Sequence, residues 1–201
     1  MKNILHITSS PRGPESNSTR LGTAVIEKLL KQYPGSKVTV NDVVEKRYEP
    51  LQDVHVTAFR LPQDQHSTEQ RLALLDSDNA VDELIAADII VVSVPIYNFS
   101  MPAALKSWVD HVVRAGKTFS YQTGKPEGLL HNKKVYLAIA SNGVYSDGPI
   151  KTWDYAEPYL RFILGFIGLT DITTLRIEGS GIPGVKEGAV EKGLQSVAVL
   201  A

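Results

Sequence analysis

The chain alternates between short apolar runs and longer segments in which apolar residues recur every three or four positions. Residues 88–94 form a β-branched run without polar alternation, the pattern of a strand covered on both faces of a parallel sheet. Pro95 ends the run, and after Met101 and Pro102 the residues Leu105, Trp108, Val109, Val112 and Val113 return at helical spacing. Residues 4–8, 38–43, 135–140 and 172–178 read as further strands. Between them lie helical stripes. Leu21, Val25 and Leu29 mark a helix from about Thr19 to the stop at Pro34 and Gly35. Ser67 and Gln70 have capping-box spacing for a helix that reaches Ala86, with a break expected near Ser77, Asp78 and Asn79. After Pro149 and Asp154 comes an aromatic-rich helix, most of whose rings (Tyr155, Tyr159, Phe162, Phe166) are assigned to the core. Val190, Leu194 and Val197 give a closing helix one apolar stripe.

Five strands, each followed by a helix, predict an α/β fold with three layers and a parallel sheet in the doubly wound order 2-1-3-4-5, as one domain over residues 1–201. That order puts a switch point between the first and third strands, and ligands bind at the carboxyl edge there. The polar segment 45–66, with Pro50 and Pro62, reads as a surface excursion bordering the site, and Arg60 within it as a solvated arginine.

The loops on the two switch-point strands carry the candidate chemistry. After the first strand, a hydroxyl-dense loop leads into a helix amino terminus, where unpaired amides and the helix dipole favour an anion. Ser10, Ser16, Asn17 and Ser18 add side-chain donors. This loop has no GxGxxG and no GxxxxGK[ST], which leaves a terminal phosphate monoester there, as in a mononucleotide. The same residues also serve as ordinary helix caps. After the third strand, Ile96, Tyr97, Asn98 and Phe99 offer a flat apolar surface with amide and backbone hydrogen bonds, suited to a planar heteroaromatic ligand or, alternatively, to capping the core. After the fourth strand come Ser141, Asn142 and Gly143, where Gly143 and Gly148 allow positive φ and amides directed at the same edge. The loop from Arg114 through Phe119 and Tyr121 to Gly128 is read as a wall of the site.

Composition narrows the chemistry. With 21 basic and 22 acidic side chains the net charge is -1, so neither nucleic acid nor an anionic membrane is an expected partner. Cysteine is absent, which leaves redox chemistry to a bound cofactor. His6, His55, His66, His111 and His131 lie in separate segments without ligand spacing, so no metal is expected. No apolar run reaches membrane-spanning length and the start lacks a signal-peptide core, from which a cytoplasmic location is expected.

A phosphate cradle and an aromatic platform on adjacent strands fit a flavin mononucleotide. The chain resembles the bacterial FMN-dependent NADH-azoreductases, which are also FMN-dependent NADH:quinone oxidoreductases of the flavodoxin-like superfamily. The match covers essentially the whole length. It rests on Ser9-Ser10 with Ser16-Asn17-Ser18, on Pro95-Ile96-Tyr97-Asn98-Phe99, on Arg114-Ala115-Gly116-Lys117-Thr118-Phe119, on Pro126-Glu127-Gly128-Leu129 and on Leu164-Gly165-Phe166-Ile167-Gly168. The resemblance implies FMN as cofactor and NADH or NADPH as donor. It implies ping-pong two-electron hydride transfer to quinones, azo compounds and other small aromatic acceptors. It also implies a homodimer whose partner completes each site. By position, Ser10, Ser16, Asn17 and Ser18 would hold the FMN phosphate, Ile96 to Phe99 the isoalloxazine, and Ser141, Asn142 and Gly143 its pyrimidine edge. Phe119 and Tyr121 would add stacking surface for the substrate. Three departures stand out, one of them an aromatic position of the family's Leu-Gly-Phe-Ile-Gly helix that falls on Ile163. The family's Ser-Arg-Gly-Gly loop falls on Ala140-Ser141-Asn142-Gly143, and a position that often carries histidine is Tyr145, a candidate proton donor. A non-catalytic flavodoxin-type carrier and an acyl-carrier-protein phosphodiesterase-type hydrolase are the alternatives.

Overall fold

A computed structural model describes residues 1–200. In chain order the elements are β1 (Asn3–Thr8), α1 (Asn17–Gln32), β2 (Lys37–Asp42), α2 (Val43–Lys46), α3 (Asp53–Ala58), α4 (Thr68–Ala86), β3 (Ile89–Pro95) and α5 (Ala103–Val112). They are followed by β4 (Phe119–Ser120), β5 (Glu127–Gly128), β6 (Lys134–Ala140), α6 (Glu157–Phe166), β7 (Asp171–Ile177) and α7 (Lys186–Gln195). The main sheet has the order β2-β1-β3-β6-β7, every pair parallel, which is the 2-1-3-4-5 order expected. Ile4 lies opposite Ile89, Ile89 opposite Lys134 and Lys134 opposite Asp171, so the strands end together at one edge.

Successive strand residues face opposite layers. On one face Leu5, Ile7, Ile90, Val92, Val94 and Leu137 pack with Leu84 of α4, Leu105 and Trp108 of α5 and Leu160 of α6. On the other, Ile4, Val91, Ala138 and Leu175 pack with Leu21, Val25 and Leu29 of α1 and the apolar stripe of α7. All of β3 is buried, Ser93 included, as expected of a strand without polar alternation in a sheet covered on both faces.

Three expectations change. The helix expected to break near Ser77 runs unbroken to Ala86, because tertiary contacts use its polar residues: Ser77 donates to the His111 carbonyl at 2.6 Å, and Arg114 reaches both Ser77 and Asp78. The 45–66 excursion carries α3 and is clamped down, with the Arg114 guanidinium 4.1 Å over the Phe59 ring and His66 Nε2 2.9 Å from the Ala58 carbonyl. Arg60 is exposed there, as read. In α6 only Leu160 and Leu164 are buried, one turn apart, whereas Tyr155 before it and Phe162 within it are 64 % and 70 % exposed. Those two rings are surface, not core. The 114–128 wall is built as an antiparallel hairpin, Phe119 opposite Gly128.

Candidate functional site

The carboxyl edge of the sheet is where the loops meet. Past β1, the Ser9 hydroxyl donates to the Ser93 carbonyl at 2.8 Å, tying this loop to β3. Ser10 Oγ lies 3.4 Å from the Tyr97 hydroxyl, so the two switch-point loops touch. Ser16 takes the N-cap position of α1 with extended geometry (φ -75°, ψ 135°), yet its hydroxyl pairs with Ser18 Oγ at 3.0 Å and no side chain caps the helix. Thr8 at the end of β1 and Thr19 in the first turn of α1 have buried hydroxyls without partners. A buried helix start without a cap is a place for an anion, since its amides and orphan hydroxyls otherwise go unsatisfied. The donor set here fits a phosphate group.

Beyond β3, the Ile96 amide donates to the Ala140 carbonyl at 2.8 Å. Tyr97 and Ser100 then exchange both backbone hydrogen bonds around a turn whose central residues have positive φ, Asn98 at 49° and Phe99 at 69°. Two left-handed residues in succession match a type I′ turn. Asparagine tolerates that conformation, but for phenylalanine it is strained, and such strain concentrates at functional sites. The turn projects the Phe99 ring outward, 44 % exposed, edge-on to Tyr145 (centroids 6.3 Å apart) and Trp153 (5.6 Å). Trp153 escaped the sequence reading because it sits in a short turn with no periodicity; Tyr155, whose amide donates to the Phe99 carbonyl at 3.0 Å, gave the only local hint.

The loop after β6 is bound to the loop after β7. The Ser141 carbonyl accepts the Ser180 hydroxyl (3.1 Å), the Asn142 carbonyl the Gly181 amide (3.1 Å) and the Gly143 carbonyl the Gly179 amide (3.0 Å). Asn142 Oδ1 also accepts the Ser180 hydroxyl. Gly143, expected to use positive φ, does not; Gly148 does, at 81°. Gly143 is needed for space instead, because a Cβ there would come within 2.9 Å of the Tyr145 ring.

Behind this loop lies a charged cluster that no motif signalled. Arg176 of β7 bonds Asp154, Glu157 and Glu178. Burial works against ionising Glu157, yet hydrogen bonds from Arg176, Thr174 and Arg161 hold its carboxyl down at about 2.

Not every expected residue comes to this edge. Phe119 packs on Phe166 (4.8 Å) and on Tyr121 (5.5 Å) beside the carboxyl end of α6, where Leu130 donates to the Ile167 carbonyl just ahead of β6. That is the amino edge of the sheet, away from the Asn98 turn. Among the described residues no group of three or more His, Asp or Glu side chains could hold a metal ion, and no helix is long and apolar enough to cross a membrane.

A doubly wound sheet with an anion-ready helix start and an aromatic turn at its switch point defines the flavodoxin-like class, and the Flavodoxin_2 family, a flavodoxin-like fold, matches residues 2–200. Over 200 residues, 100 % of this chain and 99 % of the relative, the chain is 39 % identical to an FMN-dependent NADH:quinone oxidoreductase of Beijerinckia indica. It is 45 % identical over 179 residues (89 % of this chain, 87 % of the relative) to FMN-dependent NADH:quinone oxidoreductase 1 of Rhizobium etli. Among solved structures, an azoreductase from Bacillus anthracis superposes with a TM-score of 0.90 at 28 % identity, covering 98 % of this chain and 97 % of that one. The chain belongs to the FMN-dependent NADH:quinone oxidoreductase family.

Proposed function

We propose that this chain is an FMN-dependent NAD(P)H oxidoreductase that reduces quinones and azo compounds, acting as a homodimer. The observation that carries the reading is the uncapped start of α1 beside the strained Asn98–Phe99 turn, joined across the switch point by the contact between Ser10 and Tyr97. When bound, FMN supplies two-electron hydride transfer between a nicotinamide donor, NADH or NADPH, and the acceptor. The relatives' names and the azoreductase neighbour support those substrates.

The protein's own residues position and exclude. Ser10, Ser16, Asn17 and Ser18, with the free amides of α1, hold the phosphate. Ile96, Tyr97, Asn98 and Phe99 hold the ring by backbone groups and the Asn98 amide, and the outward Phe99 ring keeps water from one side. Asn142 and Gly143 bring free amides to the pyrimidine edge, with Ser141 anchoring the loop through its amide on the Ile177 carbonyl at 2.9 Å, and preorganised donors there favour developing negative charge. Tyr145, its ring against Gly143 and edge-on to Phe99, is the candidate proton donor. These parts lie on one sheet, and residues 1–201 serve as a single functional domain. A cytoplasmic setting goes with this reading, since the nicotinamide donor is found there.

The placement of Phe119 and Tyr121 supports the homodimer. They and Phe166 form an aromatic patch at the opposite edge, extended by the exposed Phe162, and a second copy would bring that patch to this site. The function is tested by purifying the protein with FMN and following NADH oxidation with a quinone. A yellow, dimeric, quinone-reducing protein is expected. A colourless protein inert to NADH overturns the oxidoreductase, and a yellow one inert to NADH leaves a carrier.

Asn98 permits a sharper check, because alanine there both removes the amide and strains the φ 49° turn. Asn98→Gly keeps the turn and removes only the side chain. It is expected to weaken FMN binding about tenfold, the value of one hydrogen bond to a buried group. A flavin titration that matches wild type would assign the whole task to backbone groups.

A further inference from the structure

The segment between β6 and α6 runs from Ser141 to Ala156 with no regular structure beyond a short turn at Lys151–Trp153. Something must fix it, because a loop of this length with exposed backbone is otherwise mobile. Its first carbonyls are bound to residues 179–181, as described above. The amides of Asn142, Gly143 and Val144, by contrast, find no partner among the described residues. Carbonyls bound on one side turn the intervening amides to the other, where together they attract negative charge.

The next two amides are held by one carboxylate. Glu178, the residue after β7, accepts the Tyr145 amide at 2.8 Å, the Ser146 amide at 3.0 Å and Arg176 Nη1 at 2.9 Å on Oε1, and the Ser146 hydroxyl at 2.5 Å on Oε2. Its side chain is 11 % exposed, and that of Arg176 12 %. The other guanidinium nitrogen of Arg176 bonds Asp154 and Glu157. Asp154 in turn accepts the Ala156 and Glu157 amides at 2.9 and 3.0 Å, capping α6. One guanidinium therefore fastens both ends of the segment, the near end only through Glu178. Charge-assisted hydrogen bonds of this kind are stronger than neutral ones.

We propose that Glu178 is a positioning residue for the flavin site: by holding the Tyr145 and Ser146 amides it fixes the 141–146 loop with its free amides and the Tyr145 ring facing the cofactor. This rests on the FMN reading above. Glu178 touches neither cofactor nor substrate and acts through the loop. Its effect falls on reduction, because the amides it aligns stabilise negative charge that develops at the pyrimidine edge.

The test compares Glu178→Ala, Glu178→Asp and Glu178→Gln. Alanine removes the acceptor, aspartate keeps the charge beside Arg176 but draws the carboxylate back from the amides, and glutamine keeps an acceptor oxygen in place. In the flavin-free protein, amide exchange at Tyr145 and Ser146 is expected to rise about tenfold in the alanine and aspartate variants and to stay near wild type in the glutamine variant. With FMN bound, the two-electron midpoint potential should fall in the same two variants by about 30 mV, equivalent to a tenfold shift of the redox equilibrium, and recover with glutamine. Raised exchange with an unchanged potential in both variants overturns the positioning role, and unchanged exchange overturns the latch itself. Should alanine fail to fold, aspartate carries the comparison. A wild-type protein that takes up no FMN overturns the flavin reading instead, and the exchange measurement, made without flavin, tells the two failures apart.

Discussion

Between pH 6.5 and pH 4 the folded protein is expected to lose about 3 kcal/mol of stability, chiefly at His6. His6 lies in β1, 5 % exposed, with Nε2 2.8 Å from Ser93 Oγ. Burial pushes its imidazole down to about 4, against a smaller opposing pull from Asp42. In the unfolded chain the ring takes a proton near 6.5 and in the folded chain near 4, so between those values the unfolded state binds more protons. The stabilisation is whole above pH 6.5, fades by up to about 1.4 kcal/mol per pH unit as acid is added, and is gone below pH 4. Glu157 adds a lower window: its carboxyl is depressed from 4.5 to about 2, so its contribution survives until pH falls below 4.5. Urea unfolding at pH 6.5 and pH 4 measures the first loss. His6→Gln, which cannot charge, should flatten the dependence over that range; an equal slope in the variant would place the proton elsewhere.

How far the sequence told this story follows from which interactions are local. The apolar run of β3 and the periodic stripes of α1 and α5 made the layers legible, and the alternation of strands with helices pointed to the doubly wound order that the sheet shows, β2-β1-β3-β6-β7. Ser16 and Asn98 were legible because helix starts and turns draw on few residue types. The residues that missed are those whose roles depend on distant partners. Ser77 looks like a helix breaker until Arg114 and the His111 carbonyl meet its hydroxyl. Arg176 near the end of the edge strand and Glu178 just past it read like ordinary surface residues, and only the return of Asp154 and Glu157 makes them a cluster. The aromatic spacing of α6 suggested core, yet Phe162 faces outward, because the helix buries only the stripe through Leu160 and Leu164.

Gly22→Ala is expected to destabilise the protein by about 1–3 kcal/mol and to weaken FMN binding about tenfold, although alanine is the better helix former by about 1 kcal/mol. Gly22 lies in α1, over the His6–Ser93 pair. A Cβ at this position would stand 2.1 Å from Ser93 Oγ and 2.7 Å from His6 Nε2, distances that real Cβ atoms do not reach. Neither atom is the free end of a flexible chain, since the two bond each other inside the sheet. The helix must therefore lift, and with it its uncapped first turn. The overlap outweighs the propensity because the clash acts at a close-packed contact, where about half an ångström is already resisted. Ser93→Ala in the same chain removes the shorter contact and should recover part of both losses, leaving the contact with His6. Urea unfolding and flavin titration read the two effects separately. If the single variant bound FMN as tightly as wild type while losing stability, the depth of α1 would matter to the fold but not to the phosphate site; if both held, the approach of this helix would have slack that its glycine contact does not show.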